Sequence, residues 1–122
     1  MNALKSYQDL AVWKKSIDWV QQIYVVSKGF PPEERFGLTS QVRRAAISVP
    51  SNIAEGAART GTGEFLQSLS VARGSLAEVE TQLLIARRLE MLREDQLNGL
   101  LQQSAEIGKM LSGLKRSLEL RR

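Results

Sequence analysis

The sequence predicts an all-α protein, an antiparallel up-down-up-down four-helix bundle with a proline-bent second helix, formed by one domain over residues 1–122. Three observations carry this. Apolar residues return at alternating three- and four-residue steps in four separate segments, the signature of a helix with one buried stripe. The connectors between the segments are short and rich in Gly, Pro or Thr, which makes successive helices antiparallel neighbours. No stretch alternates apolar and polar residues as a strand would. With 43% hydrophobic residues, a chain of 122 residues can bury a single core without cross-links.

The first helix is expected over roughly residues 7–29, with Leu10, Trp13, Ile17, Val20, Tyr24 and Ser27 as its inward row. Ser6 suits the N-cap and Asp9 the positive helix end, while Gly29, Pro31 and Pro32 stop the run. Phe30 and Phe36 are expected to fold back on the bundle, and Thr39 or Ser40 to cap the next helix. That second helix, about residues 40–59, turns Leu38, Val42, Ala45, Val49, Asn52 and Gly56 inward. Pro50 lacks an N–H, so the Ala46 carbonyl loses its partner and the helix should bend there. Thr60-Gly61-Thr62-Gly63 reads as a turn.

Helix three, from Glu64 to Leu92, has the cleanest seam: Phe65, Leu69, Ala72, Leu76, Val79, Leu83 and Ala86. Gly74 inside it suggests a point of close packing. Glu94 and Asp95 open a fourth helix with Leu97, Leu100, Ser104, Ile107, Leu111, Leu114 and Leu118 inward.

Composition excludes whole classes of chemistry. There is no Cys and no His, so thiolate nucleophiles, disulfides, imidazole zinc sites, Ser-His-Asp triads and histidine pH switches are all ruled out. The N-terminal segment lacks the apolar core of a signal peptide and no apolar run approaches membrane-spanning length, so the expected location is cytoplasmic, with no membrane partner. A net charge of +4 is compatible with an anionic partner.

Three groups of residues invite functional readings. Arg44, Ser48, Ser51, Asn52 and Glu55 line one side of the second helix and face Ser68, Ser75 and Gln82, spaced seven apart on the third. They form either a polar pocket or a hydrogen-bonded network that satisfies the carbonyl freed by Pro50; the structural network, with Arg44, Ser48, Asn52, Glu55 and Gln82 as its members, is the reading adopted. Glu55, Glu78 and Glu80 could hold a metal or act as acid and base, but without the Glu-x-x-His pairs of di-metal bundles they are expected instead to pair with Arg43, Arg44 or Arg73, and no cofactor is expected. Basic doublets, Lys14-Lys15, Arg43-Arg44, Arg87-Arg88, Lys115-Arg116 and Arg121-Arg122, each direct at least one cation outward, because neighbours on a helix point about 100° apart. Trp13 and Tyr24 sit in the apolar row as core; Trp19 lies off it, as a residue of a subunit interface or a stacking platform for a ligand, and the interface is favoured because no basic cluster surrounds it in sequence.

The run Phe36-Gly37-Leu38-Thr39, Gln41, Arg43-Arg44-Ala45-Ala46, Ser48, Ser51-Asn52-Ile53-Ala54-Glu55-Gly56, with Arg73-Gly74-Ser75-Leu76, Glu78 and Glu80-Thr81-Gln82-Leu83, resembles the bacterial four helix bundle protein family. That family is also described as the proteins encoded in intervening sequences of large-subunit ribosomal RNA genes. Leu10-Ala11-Val12-Trp13 and Ile23-Tyr24 extend the similarity over almost the whole chain. The resemblance implies a homopentameric ring, and a likeness to the accessory variability determinant of diversity-generating retroelements, a basic pentamer that binds nucleic acid and works with a reverse transcriptase. It brings no catalytic residues. The expected function is therefore non-enzymatic: a self-associating bundle that binds RNA or DNA without sequence specificity through Arg43, Arg87, Arg88, Lys115, Arg116, Arg121 and Arg122. The alternative is a structural adaptor ring that binds a protein partner. An enzyme using Glu55 and Arg44 is the third case.

Overall fold

The computed structural model describes residues 6–121. Helices α1 (Ala11–Ser27), α2 (Leu38–Ala58), α3 (Thr62–Arg88) and α4 (Glu94–Arg121) account for most of it, with one-turn 3₁₀ helices at Tyr7–Asp9 and Pro32–Glu34. No strand occurs among the described residues. Cross-helix partners run in opposite directions: Ser48 and Gly56 of α2 meet Ser75 and Ser68 of α3, while Glu80 and Arg73 of α3 meet Ser104 and Ser112 of α4. Trp19 and Lys15 of α1 likewise meet Leu100 and Glu106 of α4. Helices α1 and α3 thus run one way, α2 and α4 the other.

The chain enters differently from expectation. Ser6 and Asp9 do form a reciprocal capping box, but around the 3₁₀ turn; Leu10 is extended, and α1 starts only at Ala11 and ends at Ser27. Leu10 and Ser27 are buried as expected, but between them the inward row is displaced by one residue, to Val12, Ser16, Trp19 and Ile23, whereas Ile17 is 40% exposed. One serine, Ser16, disguises this row, and another, Ser27, ends it. Each hydroxyl donates back to its own helix, Ser16 to the Trp13 carbonyl at 2.8 Å and Ser27 to the Tyr24 carbonyl at 3.3 Å, so both can be buried without an unmet donor. Trp19 is therefore core, 0% exposed, with its indole N–H donating to the Leu100 carbonyl at 3.3 Å. It is not available to a subunit interface. Trp13 and Val20 pack against the core from its edge.

Phe30 folds in, but Phe36 is 87% exposed, with the Arg35 guanidinium 5.2 Å from its ring centre. Neither Thr39 nor Ser40 caps α2. Gly37 occupies the N-cap, and Glu34 from the preceding 3₁₀ turn accepts the Leu38 N–H at 2.9 Å. Helix α2 runs unbroken across Pro50 and buries Val42, Ala45, Ala46, Val49, Pro50, Ile53 and Gly56. Small side chains let it approach α3 more closely than any other pair of helices does. A Cβ on Gly56 would lie 2.6 Å from the Ser68 Cβ and 2.9 Å from the Phe65 ring. Gly74, the expected contact point, instead has nothing within 4 Å of a notional Cβ.

The α3 seam is as read, except that Phe65 is half-buried, but the helix stops at Arg88 rather than Leu92. Glu90 takes a left-handed φ of 59°, and the N–H groups of Met91 and Glu90 return to the Ala86 and Arg87 carbonyls at 2.9 and 3.0 Å. This is a Schellman stop with Glu where Gly is usual, which hides it from sequence punctuation. Helix α4 begins as expected; the Arg93 N–H donates to Gln96 at 2.9 Å and its guanidinium holds the Asp95 carboxyl below the usual range by hydrogen bonding. Leu97, Leu100, Ser104, Ile107, Leu111 and Leu118 are buried as predicted, and Leu114 is half-buried. No helix among the described residues is long and apolar enough to cross a membrane.

Two glycine substitutions separate packing from propensity. Gly56→Ala is expected to lower unfolding free energy by about 1–3 kcal/mol through overpacking, whereas Gly99→Ala, in open space on α4, is expected to raise it by up to about 1 kcal/mol. Glu90→Gly is expected to stabilise by a few tenths to about 1 kcal/mol by relieving the left-handed residue. Urea denaturation monitored by circular dichroism checks all three.

Candidate nucleic-acid interface

The polar residues of α2 and α3 meet, but as a small network. Ser48 and Ser75 share a hydrogen bond of 2.9 Å, and the Asn52 amide donates to the Ser48 hydroxyl at 2.9 Å and to the Ser48 carbonyl at 2.8 Å. These bonds serve Ser48 and not the Ala46 carbonyl that Pro50 frees. Gln82 is buried on the same side, its amide N–H 3.5 Å from a Glu78 oxygen and its own carbonyl oxygen without a partner. Glu55 stands outside the network, exposed and 3.7 Å from Arg59. Arg44 is also exposed; it lines a surface furrow of about 450 Å³ with Phe36, Ser48, Ser75 and Glu78.

The three carboxylates are scattered and do not pair with Arg43, Arg44 or Arg73. Glu55 turns to Arg59, Glu78 to Gln82, and Glu80 accepts a hydrogen bond from the buried Ser104 hydroxyl. Among the described residues, no group of three or more Asp or Glu side chains gathers as metal ligands would.

The cations divide by location. Arg43 is half-buried and committed to the end of α1: its Nε donates to the Ser27 hydroxyl at 2.8 Å, its Nη2 to the Tyr24 carbonyl at 3.3 Å, and its guanidinium carbon lies 4.5 Å from the Tyr24 ring centre. It satisfies carbonyl and hydroxyl groups at a helix C-terminus, where positive charge also opposes the dipole. Arg87 donates to the Leu92 carbonyl at 3.0 Å and braces the turn into α4. Arg88 is exposed beside it. Lys115, Arg116 and Arg121 are exposed at the opposite end of the bundle, and Arg122 lies outside the described residues. Arg73 and Arg88 are separated along α3 by about 22 Å at 1.5 Å per residue, so the doublets form two groups and not one stripe.

Lys115 and Arg116 acquire neighbours that the sequence reading passed over. Arg73 reaches across from α3, its Nη1 donating to the Gly108 carbonyl and the Ser112 hydroxyl, each at 2.7 Å. It divides the furrow between α3 and α4 into two hollows. One, of about 400 Å³, is lined by Arg73, Lys109, Arg116, Ser104 and Glu80; the other, of about 250 Å³, by Arg73, Lys115, Ser70 and Ser112. Ion pairs engage Lys15, Arg59 and Arg93; among the described residues, none engages Arg73, Lys109, Lys115, Arg116 or Arg88. The seven-residue step from Lys109 to Arg116 on one face of α4 was the available signal, but it lies outside the doublet pattern.

With this geometry in hand, comparison with known proteins adds the family. The chain matches the family described as 23S rRNA-intervening sequence protein over residues 8–113. It belongs to that family. No curated protein matches it. Among solved structures, it is similar to a protein of unknown function from the S23 ribosomal protein family of Bacteroides thetaiotaomicron, with 25% identity, a TM-score of 0.80, and coverage of 86% of this chain and 95% of that one. For this intervening-sequence family member, the resemblance read from the Pro50 helix and from helix three is thus confirmed, as is the four-helix fold.

The placement of Arg43 generates a test. Arg43→Leu removes charged hydrogen bonds at a half-buried site and is expected to lower stability by about 1–3 kcal/mol. Thermal or urea unfolding, compared with exposed Arg88→Leu as a near-neutral control, measures it.

Proposed function

We propose that this member of the 23S rRNA-intervening sequence protein family is a non-enzymatic cytoplasmic bundle that self-associates, as a homopentamer, and binds RNA or DNA backbones without sequence specificity. The observation that carries the reading is the set of exposed cations on α3 and α4, Arg88, Lys109, Lys115, Arg116 and Arg121, for which the described residues supply no ion-pair partner. Unpaired cations on an exposed helical surface attract phosphates at no cost in broken ion pairs, and symmetry would repeat each of them around a ring. Contacts of this kind read charge and not base identity.

Self-association is supported by the outward face of α3. Val71, Gly74, Thr81 and Ile85 fall on one stripe, with Leu84 and Leu89 beside it, and these large apolar side chains remain about half exposed in the protomer. The small residues on that stripe would let a second backbone come near. The alternative, an adaptor that holds a protein partner, draws its support from Phe36, whose ring projects into solvent beside the Arg44 furrow.

Light scattering at moderate salt should return a mass about five times the 13.6 kDa protomer, and Leu84→Glu with Ile85→Glu should reduce it to one protomer. Fluorescence anisotropy with a short RNA should show binding at 50 mM salt that weakens by tenfold or more at 200 mM, as counterion release requires when several phosphates are neutralised. Absence of any binding to RNA or DNA at low salt refutes the nucleic-acid reading and leaves the adaptor.

A further inference from the structure

Resting on the nucleic-acid reading above, the geometry points to the α3–α4 furrow as a seat for the backbone of a single strand, with two phosphate positions on either side of Arg73. Arg73 is the organising group. A guanidinium carries five N–H donors, and the two on Nη1 are spent on Gly108 and Ser112. Those two bonds fix the side chain across the furrow, and among the described residues none engages the Nε and Nη2 donors. A donor group already immobilised loses little further entropy on binding an anion, and a planar fork suits phosphate oxygens.

Each hollow beside Arg73 adds its own cation. Lys109 and Arg116 line the larger one and Lys115 the smaller, where the Ser70 and Ser112 hydroxyls are also at hand. Lys109 and Arg116 lie two helical turns apart, about 10 Å along α4, which matches about three nucleotides of a stacked strand at 3.4 Å each. Glu80, hydrogen-bonded to Ser104, closes the far end of the larger hollow with negative charge and so confines phosphates to the Arg73 side.

The shape selects against a duplex. Helices packed side by side have axes about 8–10 Å apart, and a furrow between them admits one extended backbone, whereas a stiff double helix meets only its rim. Among the described residues no aromatic side chain lines either hollow, so bases have nothing to stack on there and sequence preference is not expected. Arg73 is a positioning residue as well as a ligand, because its bond to Gly108 fixes the spacing of the two helices.

The test uses the full chain with fluorescent 12-nucleotide RNA, the matching DNA single strand and the corresponding duplexes. Lys109→Gln with Arg116→Gln should weaken single-strand binding at least tenfold at 100 mM salt, and should lower the slope of log K against log salt by about 0.7 for each lost contact. Both residues are exposed, and an unchanged melting curve verifies that the fold survives. Lys14→Gln, at an exposed position on α1, should leave binding within twofold. Equal losses from Lys14→Gln, or duplex bound as tightly as single strand, would overturn the furrow while the basic-surface reading stands. If no nucleic acid binds the wild-type chain, a tripolyphosphate titration decides separately: shifts at the Gly108 and Ser112 amide signals support an anion seat in the furrow, and their absence removes it.

Discussion

How near α2 can come to α3 governs the rest of this bundle. At Gly56 the helices meet so tightly that Ser68 occupies the space a β-carbon would need, and farther along, Ser48 and Ser75 touch through their hydroxyls. Contacts this short require small residues on both sides, so Ala45, Ala46, Gly56, Ser68 and Ala72 are structural choices and not an absence of packing. The serine pair and Asn52 then supply direction: a hydrogen bond between two hydroxyls tolerates far less sliding than alanine against alanine. Once α2 and α3 are locked, α1 and α4 have one remaining shared surface on which Trp19 and Ile107 can close the core.

The sequence revealed the parts of the fold written in large apolar residues. The inward rows of α3 and α4 were legible because Leu, Ile and Val recur at heptad spacing, and the inward row of α2 because its few apolar residues are flanked by alanines. The row of α1 was misread because Ser16 lies within it; a hydroxyl satisfied by its own helix behaves in the core as a small apolar group, and no hydropathy scale knows that. The end of α3 was missed for a related reason. Glu90 carries the left-handed turn that Gly would normally announce, and the bonds that enforce it are backbone bonds.

The charged surface was legible in composition but not in arrangement. Doublets such as Arg43-Arg44 and Arg87-Arg88 draw the eye, yet Arg43 serves the C-terminus of α1 and Arg87 the turn after α3. The cations that gather do so across helices, where Arg73 meets Lys109, Lys115 and Arg116. Such a group depends on helix register, which only the tertiary structure supplies. Arg43 was placed among phosphate contacts on the strength of its neighbour; the Tyr24 ring and carbonyl claim it instead.

Helix lengths in the bundle are unequal, and this has a mechanical consequence. Helix α1 has 17 residues and α4 has 28, about 26 and 42 Å. The named contacts from α1, Trp19 to Leu100 and Lys15 to Glu106, fall in the first half of α4. The last turns are held by buried Leu111 and Leu118 and half-buried Leu114, with the Arg73 strap just before them at Gly108 and Ser112. Local stability follows the density of such ties, so local opening should begin at the C-terminal turns of α4. Lys115, Arg116 and Arg121 ride on those turns, and opening there would disperse their charge while the core stays folded.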